Sequence, residues 1–256
     1  EEQKLMAPRE EKVKRPPAPW GEPLKILFED KAIMAVDKPA GMAVHPGSGI
    51  TTATLVDEVR AYLGPRAVRN EFAASPAHRL DRDTSGVILV AKTRRAMVRF
   101  TEIFTEGSAH KSYLALAKGQ FAQPRGVIDL ALAEHEQSAK SKARRGTNMQ
   151  EALTRWRIVE KGELATLLDC KIETGRTHQI RRHLAAIAHP VAGDKRYGDF
   201  PFNRELRSRF GLKRMFLHAR RIELRHPITD ERLVLEAPLA PELADALERM
   251  GMKAPS

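Results

Sequence analysis

Short apolar runs, each closed off by Gly, Pro or Asp, punctuate the chain and dictate its architecture. LKILF (24–28), AIMAVD (32–37) and GVILVAKT (86–93) are of this kind, and SYLALAKG (112–119), LTRWRIVE (153–160), ATLLDCKIE (165–173) and FLHARRIELRH (216–226) extend the series. Such runs bounded by turn-forming residues read as strands. Helical spacing appears in TLVDEVRAYL (54–63), in RRAMVRFTEIF (94–104), where Met97, Phe100 and Phe104 share a side, and in PELADALERM (241–250). Strands outnumber helices and do not alternate with them regularly. The pattern therefore predicts an α+β fold, with a mixed and largely antiparallel sheet flanked by helices and loops, and argues against a doubly wound parallel sheet.

The 256 residues suffice to bury a core without covalent staples. The single cysteine, Cys170, lies in an apolar strand and has no partner within the chain, which fits a core residue in a reducing, cytoplasmic setting. No stretch approaches the roughly 18 apolar residues of a membrane span, so a soluble protein with no membrane partner is expected. Residues 1–20 carry clustered charges and Pro8, Pro16, Pro17 and Pro19, the composition of a disordered linker remnant; the folded domain is expected over residues 21–256, as a monomer. Lys plus Arg number 44 against 33 Asp plus Glu, and the net charge of +11 points to a polyanion, nucleic acid before membrane. With aromatic residues at 5%, phosphate contact is a better mode than a platform of stacked bases.

One helix can be read residue by residue. In THQIRRHLAAIAH (177–189), Ile180, Leu184 and Ile187 recur at helical spacing and define a buried stripe. Arg182 falls nearly opposite that stripe, whereas Arg181 sits on its flank and points along the protein. A partly buried arginine requires an anionic partner, because its guanidinium keeps its proton.

The densest polar cluster is HRLDRDTSG (78–86), which runs straight into a strand and sets Asp81 and Asp83 among Arg79 and Arg82. Basic neighbours keep a carboxylate ionised. The kinase order H-R-D-L-x-x-x-N is broken here, and no Gly-rich loop precedes it. PGSGITT (46–52) has neither the lysine nor the spacing of a phosphate-binding loop. His178, His183 and His189 are too far apart to share a helix face as metal ligands and read as polar or RNA-facing surface; no metal and no cofactor is expected. What is left is a carboxylate, arginines and two tyrosines, Tyr113 and Tyr197, suited to nucleophilic or general-base chemistry on a nucleic acid.

These residues are recognisable as a set. HRLDRDTSG followed by a strand resembles the signature of the RluA family of pseudouridine synthases. KPAGMAVHPGSG (38–49) resembles its N-terminal motif, KSYLALAKG (111–119) its tyrosine motif, GRTHQIRRHLAAIAHPVAGDKRYGD (175–199) its basic-helix motif, and FLHARRIELRHP (216–227) its C-terminal motif, in the family's order over residues 24–240. The resemblance implies isomerisation of uridine in RNA without metal or cofactor. It makes Asp81 the catalytic aspartate, as nucleophile or as base, Tyr113 the tyrosine that packs on the target base, and Arg181 the basic partner of the aspartate. Arg79 matches a position that displaces the base from its stack, and Leu217 one that lines the base pocket. His78, Thr84, Arg176, His178 and Gln179 are implied on the substrate side. The stretch 193–219 looks most like the branch acting on bacterial large-subunit (23S) rRNA. Members of that branch carry an N-terminal RNA-binding domain, which the resemblance leaves missing here. Lys140, Lys142, Arg144 and Arg145, with the basic run 204–225, are expected to hold phosphates. A non-catalytic RNA-binding module of the same fold is the competing reading, against which the intact Asp81, Tyr113 and Arg181 argue.

Overall fold

The computed structural model describes residues 20–47, 49–69, 72–134 and 148–255. The first strands are β1 (Lys25–Glu29) and β2 (Ile33–Lys38), followed by helix α1 (Leu55–Leu63), which opens with a capping box between Thr54 and Asp57. Three short strands, β3 (Val68–Arg69), β4 (Phe72–Ala73) and β5 (Ser75–Pro76), lead to β6 (Ser85–Ala91) and helix α2 (Arg94–Thr105). The second half adds β7 (His110–Lys118), β8 (Arg125–Asp129), β9 (Leu132–Ala133), β10 (Met149–Gln150), β11 (Leu153–Lys161) and β12 (Ala165–Ile172). Helices α3 (Gln179–Ala186) and α4 (Phe200–Phe210), strands β13 (Leu217–Arg225) and β14 (Arg232–Glu236) and helix α5 (Pro241–Arg249) complete the chain.

Ten strands form one sheet, whose main path runs β1-β2-β6-β13-β7-β12-β11-β8. Its one parallel contact among the described residues joins β6 to β13, with Ser85 opposite His218 and Gly86 opposite Ala219. Gly86 sits at φ 110°, and a Cβ there would lie 2.2 Å from the Ala219 carbonyl oxygen. Only glycine lets the two strands approach so closely. All seven residues of β6 are buried, because helices cover both sides of the sheet at its centre.

The pleat divides β7 between two cores. Tyr113, Ala115 and Ala117 join Ile180 and Leu184 of α3 and Leu55 and Val59 of α1, whereas Leu114 and Leu116 join Phe202 and Leu206 of α4 and Leu243 and Leu247 of α5. A third cluster packs Ala96, Phe100 and Ile103 of α2 on Ile33, Val87 and Leu89. Deleting a fully buried leucine such as Leu184 would cost ~2–5 kcal/mol.

The buried stripe of α3 is shorter than its periodicity predicts. Ile180 and Leu184 are buried, but Ile187 is 37% exposed, because the helix ends at Ala186, Ala188 turns left-handed at φ 63°, and His189 precedes Pro190, which disfavours a helical residue before it. Of the three histidines read as polar or RNA-facing surface, His183 departs most clearly. His183 is completely buried, with its ring nitrogens bonded to the Thr154 hydroxyl and the Leu130 carbonyl, both at 2.9 Å. His189 bonds the Lys118 carbonyl and stacks on Phe121. His178 turns towards Asp81. No helix among the described residues is long and apolar enough to cross a membrane.

Candidate active site

The loop from His78 to Thr84 is held at the Arg82 carbonyl and by the His78 side chain. The Arg82 carbonyl accepts from the Gly41 amide at 2.8 Å and from the Lys38 ammonium at 3.0 Å. Lys38 is wholly buried, and its other two protons go to the carbonyls of Pro39 and Met42. Burial, with Arg214 adding to it, pushes Lys38 down to about 7, yet its three carbonyl acceptors match the three protons of an ammonium. The KPAG segment is thus a clamp on the Asp81 loop. From the other side, His78 Nε2 accepts from the Leu89 amide at 3.0 Å, which fastens the loop to β6. Burial holds the His78 imidazole down at about 3, so it is neutral.

Asp81 stands 16% exposed at the wall of a cavity of about 680 Å³. One carboxylate oxygen accepts from Arg181 Nη1 at 3.0 Å, and the other lies 3.8 Å from His178 Nε2. Arg181 projects from the flank of α3, as its helical position requires, and its remaining edge is taken by Asp194, with Nε at 2.7 Å and Nη2 at 2.9 Å. Burial works against the guanidinium's charge, but the hydrogen bonds to Asp194 and Asp81 outweigh it and hold Arg181 above the ordinary arginine value. Asp194 has no exposed surface and also accepts the amides of Arg196 and Tyr197. It is the site residue that sequence reasoning missed. The one signal for it was the demand that Arg181 find an anion.

Tyr113 lines the same cavity from β7, and Leu217 from β13, the two strands being paired through Leu217 and Ala115. Burial, with the Asp81 charge adding to it, pushes the Tyr113 phenol above its ordinary value, so the ring is a neutral wall. Leu217 is 4% exposed and serves core and cavity together. His178 adopts a left-handed φ of 55° at the start of α3, rare for a side chain of its size, and bonds the Tyr197 hydroxyl at 2.9 Å. Arg181 lies over the Tyr197 ring, 5.1 Å from its centroid.

The remaining substrate-side residues divide by how much bonding capacity they retain. Thr84 is 2% exposed, and its hydroxyl has no protein partner although the residue borders the cavity. Arg79 is exposed at the rim, while Arg176 spends its Nε on the Glu151 carbonyl. Gln179 is fully engaged: its oxygen accepts from Thr174 and the Arg176 amide, and its nitrogen donates to Leu153 and Thr154. It ties α3 to β11. Lys140, Lys142, Arg144 and Arg145 lie outside the described residues. The run 204–225 is no single basic face, because Arg214 turns inward to the Ser85 hydroxyl and Arg221 and Arg225 pair with Glu223 and Asp230. Among the described residues, no three His, Cys, Asp or Glu side chains are grouped as metal ligands would be.

A half-buried loop carboxylate held by a doubly anchored arginine, in one cavity with a tyrosine on this sheet, defines a class. The chain belongs to the RNA pseudouridylate synthase family, whose model matches residues 32–186. It is 41% identical over 224 residues to the ribosomal large subunit pseudouridine synthase C of Pasteurella multocida, a match covering 87% of this chain and 67% of that protein. To the protein of that name from Escherichia coli K12 it is 40% identical over 227 residues, covering 88% and 69%. Among solved structures it is similar to human RNA pseudouridylate synthase domain containing 4, with TM-score 0.74 and 25% identity over 91% of this chain and 95% of that one.

Proposed function

We propose that this protein converts uridine to pseudouridine in bacterial large-subunit (23S) rRNA, with Asp81 as the group that acts on the nucleoside. The Asp81–Arg181 contact inside the cavity carries this reading: a carboxylate 3.0 Å from a fixed guanidinium is paired and aimed, while its second oxygen is left free of arginine. Isomerisation breaks the bond between N1 and the ribose and forms one from carbon 5 to the same sugar carbon; carbon 5 gives up its hydrogen and N1 gains one. Asp81 serves either at the sugar or at the base. Tyr113 and Leu217 bound the space in which the detached uracil turns, and the neutral phenol adds no second charge beside the aspartate. Arg79 at the rim occupies the place of the extruded base, as a planar cation can. Lys140, Lys142, Arg144 and Arg145 add phosphate contacts that position the RNA without reading its sequence. The names of the relatives support the choice of rRNA.

The test is release of tritium from large-subunit rRNA labelled at uridine carbon 5. The wild-type chain should release it, and Asp81→Asn should bind the RNA and release none. Turnover by Asp81→Asn near the wild-type rate would overturn the assignment of Asp81. RNA binding without release by the wild-type chain would favour a non-catalytic module.

A further inference from the structure

Among the described residues, several buried cations are matched to acceptors. Lys38 has three carbonyls, Lys92 has Glu29 at 2.6 Å and the Asp30 carbonyl, and Arg181 has two carboxylates. Lys111, half-buried on β7, borders the active-site cavity, and its Nζ has no carboxylate or carbonyl partner among the described residues. Its Nζ stands over the face of Phe104, 5.1 Å from the ring centroid, and its charge helps keep His78 neutral. A charge taken out of water without a counter-charge costs stability, and here burial alone depresses the ammonium. At Lys111 this cost falls beside the cavity.

Geometry says what would repay it. Lys111 and Tyr113 are two apart on one strand, so their side chains share a face and stand about 6.6 Å apart. A uracil packed on Tyr113 leaves its own sugar and phosphate to extend along the cavity by a comparable distance. We propose that Lys111 is a phosphate-binding residue, receiving a backbone phosphate next to the extruded uridine. The inference rests on the reading of the cavity as an RNA nucleotide site. A lysine suits the task as a compact point charge on a flexible stem, with no bidentate geometry to impose on a chain that must bend at this point.

The experiment compares wild type, Lys111→Met and Lys111→Arg in binding a large-subunit rRNA transcript over a range of KCl, alongside thermal melting. Lys111→Met should weaken binding roughly tenfold, lower the slope of log affinity against log salt by about one, and melt no lower than wild type because an unpaired buried charge is gone. Lys111→Arg should retain the slope. An unchanged slope in Lys111→Met overturns the proposal, as does a lower melting temperature with unchanged affinity, which would mark a structural lysine. Tritium release by the wild-type chain on the same transcript separates the two failures: with release intact, an unaffected Lys111→Met sinks this inference alone, whereas no release sinks the reading beneath it.

Discussion

Asp194 grips Arg181 with both carboxylate oxygens, at 2.7 Å and 2.9 Å, and leaves the guanidinium a single edge to present to Asp81. The aspartate is itself fixed by the Arg196 and Tyr197 amides, so the position of Arg181 is decided thirteen residues downstream of it. Asp194→Asn keeps the shape and removes the charge. It should cost about 3 kcal/mol of stability, because one counter-ion of a buried cation is lost. It should also lower kcat roughly a hundredfold through misplacement of Arg181, with affinity for RNA within about threefold of wild type. Equal losses in kcat and affinity would mark general unfolding instead of a positioning role.

Thr84 holds a buried hydroxyl with no partner at the cavity wall. Thr84→Val, nearly the same shape, should therefore raise stability by about 1 kcal/mol. If the hydroxyl meets the substrate, turnover falls while the protein melts higher. Calorimetry and tritium release on the same preparation check both halves.

His218 gives the fold a pH dependence. Its ring bonds the Ser85 hydroxyl at 2.9 Å and the Ala237 carbonyl at 3.2 Å, and burial, with the Arg214 charge against it, pulls it down to about 4. An unfolded histidine takes its proton near 6.5, so between those values the unfolded chain binds more protons than the folded one. Stability should fall as pH drops from 6.5 towards 4, by about 3 kcal/mol at most from this residue, whose contribution levels off below 4. Melting temperatures from pH 7 to pH 4 should show the slope, and His218→Gln should reduce it. An identical slope in the variant would remove His218 from the account.

Sequence alone revealed those elements whose apolar residues are numerous and regularly spaced. Seven strands, α1, α2 and α5 fall close to their predicted spans for that reason. Helix α4 escaped because only Phe202 and Leu206 are buried, and its arginines read as part of a charged run. Strands β8 and β14 escaped because each buries one residue of five. The placement of Arg181 against Asp81 followed from helix geometry and motif together. Asp194 did not, since a lone aspartate in a turn carries no local mark of its partner. His183 was misread for the opposite reason: its bonds to Thr154 and Leu130 are both distant in sequence, so no spacing rule reports them.

The parallel joint between β6 and β13 has a bearing on how the enzyme comes into being. Ser85 and His218 are 133 residues apart, and Asp81 and Arg181 are 100 apart. Contacts over such separations close slowly, after local helices and hairpins have formed. A ribosome must release Leu217–Arg225 before the Asp81 loop acquires its neighbouring strand and the base pocket its leucine wall. Nascent chains short of that strand lack the pocket's leucine wall, so the site is closed on that side only once β13 has emerged.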